Sequence, residues 1–140
     1  MTKVTAQWKD GYAFESAIDN HKIITDTTLE TGGTDLGPSP KKLLLAGLIG
    51  CTGIDVVSIL KKMKVEPEAL AIEAEAESSN EHPKVYTSIK LTFTFTGENL
   101  PIDKLEKAVS LSQEKYCGVA AMLKKTAPIE YEVVVQDRNA

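Results

Sequence analysis

The stretch from Leu43 to Leu60 is apolar almost throughout, broken only by Gly47, Gly50 and Gly53, by Thr52 and Ser58, and by one acid, Asp55. No other feature constrains the fold so strongly. The run is long enough to cross a membrane, yet an acid near mid-segment is costly in lipid. A helix that is apolar nearly all round is expected instead at the buried centre of a soluble fold. Ser39-Pro40 marks its start, because serine can cap an orphan amide and proline suits the first helical position. Lys61, Lys62 and Lys64 mark its end, where positive charge suits the negative pole of the helix dipole.

On a helical wheel Leu45, Ile49, Val56, Leu60 and Met63 fall on one side, and Leu43, Gly47, Gly50, Cys51, Ile54 and Ser58 on the other. The first side is bulky and suits packing on a sheet. The second is lined with small residues and lets another backbone come close, with Cys51 in that seam. A chain of 140 residues can hardly cover both sides. A homodimer is therefore expected.

Short strands precede the helix: Val4 to Trp8, Tyr12 to Ile18 across an Asp10-Gly11 turn, and Lys22 to Thr27. A breaker-rich loop, Gly32 to Pro38, follows. After the helix, Leu70 to Ser78 alternates Ile72, Ala74 and Ala76 with Glu73, Glu75 and Glu77. Val85 to Thr96 alternates Ile89, Leu91, Phe93 and Phe95 with Lys90, Thr92, Thr94 and Thr96. Such period-two patterns predict a sheet with one wet face, usually antiparallel. Pro101 to about Lys115 reads as an amphipathic helix with Ile102, Leu105, Ala108, Val109 and Ser112 on its apolar face. A short helix, Cys117 to Lys125, and a last strand, Ile129 to Val135, complete the chain. The order is β-β-β-α-β-β-α-α-β, an α+β fold in a single domain, residues 1–140.

Twenty acids against 16 bases give a net charge of −4, which disfavours nucleic acid and leaves no basic patch for a membrane surface. All the bases but Arg138, in the C-terminal tail, are lysine. Two cysteines are too few for a disulfide scaffold, and no secretory signal opens the chain, so a cytoplasmic location is expected.

Neither a Gly-x-Gly-x-x-Gly turn nor a phosphate loop occurs. His21 and His82 lie in turn-like contexts and read as surface residues. With two cysteines they form no recognisable tetrahedral set, so neither a metal nor a cofactor is expected. Cys51 and Cys117 remain, open to two readings. Both can be small buried hydrophobes, or they can be reactive. Cys117 begins a helix, where amides favour a thiolate. Asp55, one helical turn beyond Cys51, opposes ionisation of that thiol and can instead bond nearby backbone or a lysine.

Gly37-Pro38-Ser39-Pro40, then Leu43-Leu44-Leu45-Ala46-Gly47 and Gly50-Cys51-Thr52-Gly53-Ile54-Asp55-Val56-Val57, resembles the first-cysteine helix of the OsmC/Ohr family, the osmotically inducible and organic hydroperoxide resistance proteins. Glu114-Lys115-Tyr116-Cys117-Gly118-Val119-Ala120-Ala121-Met122-Leu123 is similar to that family's second-cysteine motif. The resemblance covers nearly the whole chain and points to a less characterised branch. It implies an intertwined homodimer with its long helices back to back and a thiol peroxidase chemistry. Cys51 would attack an organic hydroperoxide, Cys117 would resolve the sulfenic acid as a disulfide, and an external dithiol would reduce the pair.

The chain also departs from the family. Its well-studied hydroperoxide reductases use an arginine from the N-terminal strands and an acid at the start of the first-cysteine helix. Residues 1–30 contain no arginine here, and Lys41 and Lys42 follow Pro40. The departures favour a second expectation, a dimeric binding protein for a small or lipidic molecule with weak or no peroxidase activity.

Overall fold

The structure, a computed structural model, describes residues 1–137. It contains β1 (Thr5–Asp10), β2 (Ala13–Ile18), β3 (His21–Thr25), α1 (Pro40–Lys62), β4 (Ala69–Ser78), β5 (Tyr86–Thr96), α2 (Ile102–Leu111), α3 (Gly118–Leu123) and β6 (Ile129–Gln136), with a 3₁₀ turn at Leu29–Thr31 and a π turn at Ser112–Tyr116. The element order is the one the sequence predicts. Arg138 lies outside the described residues. The chain divides into two compact units, Met1–Ala46 and the remainder from Gly47.

In the first unit β1, β2 and β3 form an antiparallel meander, with Trp8 opposite Phe14. Gly11 takes the left-handed conformation, φ +55°, that the Asp10-Gly11 turn needs. The Trp8 indole N–H donates to the Gly11 carbonyl at 2.9 Å. Trp8, Tyr12 and Phe14 are all exposed.

The loop after β3 is organised by Asp26, only 2% exposed. One carboxylate oxygen accepts the Thr27 amide at 2.7 Å, and the other accepts the Thr34 hydroxyl at 2.9 Å and the Leu36 amide at 3.1 Å. The Thr27 and Leu36 amides hold this carboxyl below its ordinary value, against the opposing effect of burial. Because the folded value is the lower one, the carboxylate stabilises the unit fully above the unfolded value of about 3.9. That contribution disappears as pH falls through the folded value. Asp26→Asn is expected to lower the melting midpoint at pH 7, and the gap from wild type should close in strong acid. Equal midpoints at pH 7 would remove the carboxylate from this role.

In the second unit the sheet order is β4-β5-β6. β4 and β5 are antiparallel, with Ile72 opposite Phe93, whereas β5 and β6 are parallel, with Phe93 opposite Val133. The antiparallel pairing expected of the two alternating strands is present, and β6 makes the sheet mixed by joining it in parallel. α2 and α3 carry the chain back along the sheet between β5 and β6, and a helical crossover of this kind returns the next strand in the same direction. Ile89, Leu91, Phe93 and Phe95 are buried, while Glu73, Glu75, Glu77, Lys90, Glu130 and Glu132 are exposed on the other face.

α1 satisfies the length and hydropathy conditions for a membrane span. Within this unit its buried residues are Leu48, Thr52, Val56 and Leu60, one stripe at helical spacing. The stripe is rotated from the expected one, because Leu45 and Ile49 are only half-buried. Thr52 lies within the buried stripe, its hydroxyl bonded to that of Ser112. A Cβ at Gly53 would come 3.4 Å from Ile72 Cδ1, so α1 lies close to β4 here. On the other side Ile54 is 73% exposed. A Cβ at Gly47 or Gly50 would meet no atom within 4 Å, so the small-residue seam is open.

α2 buries Leu105, Ala108 and Val109, but Ile102, placed on that face by the sequence, stands exposed in its first turn.

Candidate functional site: a thiol pair beside a carboxylate

Cys51, Thr52 and Asp55 follow one another along α1, and α2 ends opposite them in the π turn. The Cys117 amide donates to the Ser112 carbonyl at 2.7 Å, closing a turn one residue wider than an α-helical one. That widened turn buries Ser112 and Gln113 and sets Cys117 at the cap of α3. The Cys51 and Cys117 sulfurs and an Asp55 carboxylate oxygen all lie within 4.8 Å of one another, and both cysteines are free thiols. Cys117 is 3% exposed, whereas Cys51 and Asp55 are half-buried and face the accessible side.

A directed chain of hydrogen bonds backs these groups. A carboxylate only accepts, so the Ser112 hydroxyl donates to Asp55 Oδ2 at 3.0 Å. Its proton thus committed, Ser112 accepts from the Thr52 hydroxyl at 2.7 Å, and Thr52 accepts from Gln113 Nε2 at 2.9 Å. Three donors therefore point in series toward one charge, an arrangement in which each bond polarises the next. Gln113 is 3% exposed, and its Oε1 is buried without a hydrogen-bond partner.

The electrostatics of Cys117 reverse the expectation from its helix-start position. Its Sγ does accept the Ala120 amide at 3.4 Å, which favours the thiolate. Burial outweighs that amide, and with added pushes from Cys51 and Asp55 the thiol rises to about 11. Cys117 is held as a thiol. Alkylation of Cys117 in a Cys51→Ser variant is expected to need strongly alkaline solution, because burial, the largest cause, remains. The raised value also sets a stability trend. The protonated thiol stabilises the fold fully below the unfolded value of about 8.5, and this is lost as pH rises toward about 11. Alkylation at the rate of an exposed thiol near pH 8 would contradict the burial argument.

The structure therefore brings together both expected cysteines, distant in sequence, and supplies Asp55 with a partner that was neither backbone nor lysine. Thr52 and Gln113 were missed as members of the site. Ser112 had left a signal, a hydroxyl among Leu105, Ala108 and Val109 on an apolar face. His21 and His82 are exposed, as expected. The described residues include no arginine to meet Cys51.

The chain is similar to known proteins over nearly its whole length. Residues 32–132 match the family model for OsmC-like proteins. Protein YhfA of Escherichia coli K12 is 39% identical over 132 residues, covering 91% of this chain and 95% of the relative. A crystal structure of a protein from Aquifex aeolicus VF5 superposes with a TM-score of 0.87 at 30% identity, over 99% of this chain and 98% of that one. At 18% identity an organic hydroperoxide resistance protein from Legionella pneumophila shares the fold, with a TM-score of 0.72 over 96% of this chain and 97% of its own.

Proposed function

This chain belongs to the OsmC-like protein family, and from that premise we propose that it is a thiol-dependent peroxidase reducing organic hydroperoxides. The observation that carries the reading is the approach of two free sulfurs and a carboxylate to within 4.8 Å. Cys51 is the peroxidatic residue because it is the more accessible thiol. Its thiolate attacks the outer oxygen of the hydroperoxide, the O–O bond breaks, and the alkoxide leaves as alcohol after taking a proton. Cys51 is now a sulfenic acid. Cys117 attacks that sulfur, a disulfide forms, and the hydroxyl departs with a proton as water. The proton that leaves with the hydroxyl is the one Cys117 gives up, and Asp55, whose carboxylate lies within 4.8 Å of both sulfurs, is placed to pass it across. An external dithiol then reduces the disulfide by exchange.

The homodimer belongs to the same reading. Ile54, Val57 and Leu44 are exposed apolar residues on α1, and Gly47 and Gly50 leave room beside them for a second backbone. A single domain over residues 1–140 belongs to it too, since the family match runs across the boundary between the two units. So does a cytoplasmic location, where an external dithiol keeps the thiols reduced.

The binding-protein alternative rests on the two departures, no arginine among the described residues and Lys41 and Lys42 in place of an acid after Pro40. It names the groove of about 780 Å³ lined by Ile49, Ile54, Val57, Leu70, Ile72 and Lys61 as its cavity. Consumption of tert-butyl hydroperoxide by reduced protein with a dithiol separates the two. The peroxidase reading expects consumption faster than with hydrogen peroxide. A rate equal to the protein-free background would leave only the binding protein.

A further inference from the structure

We propose that Cys51, Cys117 and Asp55 form a binding site for a divalent thiophilic cation, zinc above all, in the reduced protein. The donor set was not legible in the sequence, where cysteines and histidines alone were counted and Asp55 was not. In the fold the two sulfurs and a carboxylate oxygen lie within 4.8 Å of one another. A tetrahedral zinc ion with bonds of about 2.3 Å to sulfur and about 2.0–2.2 Å to oxygen brings its two sulfurs to about 3.8 Å apart. That lies inside the 4.8 Å bound on the reduced pair and well above the roughly 2.05 Å of a disulfide. A metal thus needs the two sulfurs less close together than the disulfide does.

Three further features fit the set. Cys51 and Asp55 are one helical turn apart on α1, so a single rigid element presents both. The Ser112 hydroxyl at 3.0 Å from Oδ2 fixes the carboxylate, the kind of support that ligating carboxylates receive in metal sites. Binding displaces the Cys117 proton, and the dication offsets the repulsion that two thiolates beside a carboxylate would otherwise meet. Thiolate sulfur selects zinc over magnesium or calcium, which prefer oxygen. With three protein donors, a fourth position is left to solvent or another ligand, as in zinc sites that exchange what they hold. Metal binding would withdraw both thiols from reaction with peroxide. The proposal stands apart from the peroxidase reading, since it uses only the reduced thiols and the carboxylate.

Cobalt(II) tests it, because thiolate ligation gives an intense near-ultraviolet absorption that zinc then abolishes by displacement. Full-length protein is reduced with a phosphine, which adds no competing thiol, and is titrated without oxygen. The expected result is a thiolate-to-cobalt band saturating at one cobalt per chain, bleached by zinc, and lost in Cys51→Ser and in Cys117→Ser. Asp55→Asn should weaken cobalt at least about tenfold, since removing mere supports of ligands already costs about 10–100-fold. No band in the reduced wild type, or equal affinity in Asp55→Asn, overturns the site. Should Asp55→Asn fail to fold, wild type oxidised to the disulfide by diamide serves instead. It should give no band until reduced again, and a band in the disulfide form overturns the proposal equally.

Discussion

Cys51→Ser is expected to abolish hydroperoxide turnover, by about 10³-fold or more, because the variant loses the nucleophile and with it the step. Cys117→Ser should behave differently. The first equivalent of hydroperoxide is still consumed and one alcohol is released, but no intramolecular disulfide can form. The sulfenic acid on Cys51 then persists, reacts with dimedone, and under excess peroxide proceeds to the sulfinic acid, which the dithiol does not reverse. A stoichiometric burst followed by progressive inactivation is the expected trace. The asymmetry follows from the surroundings of the two sulfurs. Cys51 is half-buried on a helix face, whereas burial holds Cys117 as a thiol up to about 11. A buried thiol that keeps its proton is a poor first attacker and an adequate second one, once an electrophilic sulfur lies beside it and a carboxylate can take the proton. Loss of the burst in Cys117→Ser with its survival in Cys51→Ser would reverse the assignment. Loss in both, with folded protein, would point to a requirement for the pair as a unit.

The fold was legible in the sequence where its cause is local. Period-two alternation in β4 and β5 and the apolar run of α1 each write their burial into adjacent residues, and the element order follows from them. The direction of β6 is different. Its Ile129, Tyr131, Val133 and Val135 alternate with Glu130 and Glu132 as either kind of neighbour would, and only the path of α2 and α3 makes the pairing parallel. The rotation of α1 was hidden for a related reason. A wheel read for hydrophobicity passes over Thr52, but a hydroxyl can be buried where a distant hydroxyl and amide meet it.

At the site, residue type was readable and geometry was not. No spacing rule brings Cys51 to Cys117, since their approach depends on the π turn, whose extra residue has no signature in Ser112-Gln113-Glu114-Lys115-Tyr116. The helix-start argument for Cys117 counted the amide that favours the thiolate and omitted the burial that opposes it. At a cap this deeply enclosed burial is the larger effect. Asp55, ambiguous between several partners on sequence grounds, was settled by a serine from the far side of the unit.

Phe93→Ala is expected to cost about 3–5 kcal/mol, the usual range for deleting a buried phenyl ring where the cavity cannot collapse. Phe93 is 0% exposed. It sits in the central strand, with Ile72 of β4 on one side and Val133 of β6 on the other. Both neighbours are held by ladder hydrogen bonds, so neither strand can shift inward to fill the gap. Thr94→Ala, the next residue along, removes a half-buried side chain from the opposite face. It should cost less than about 1 kcal/mol, the full span of strand propensities. The contrast tests the burial pattern directly, since a register slip of one residue would exchange the two results. Urea unfolding at one fixed protein concentration is the suitable measurement, because the apparent stability of any chain that self-associates depends on concentration. The slope should be unchanged in both variants, so that a lower midpoint reads as lost stability. A loss of this size is a large share of the about 5–15 kcal/mol by which domains are stable. It also reaches the site, because Ile72, opposite Phe93, is the residue that approaches Gly53, close to Cys51 on α1. Thiol reactivity in Phe93→Ala should therefore become less selective between Cys51 and Cys117 as α1 loses its support. Retained selectivity alongside the full stability loss would mean that α1 is held by other contacts.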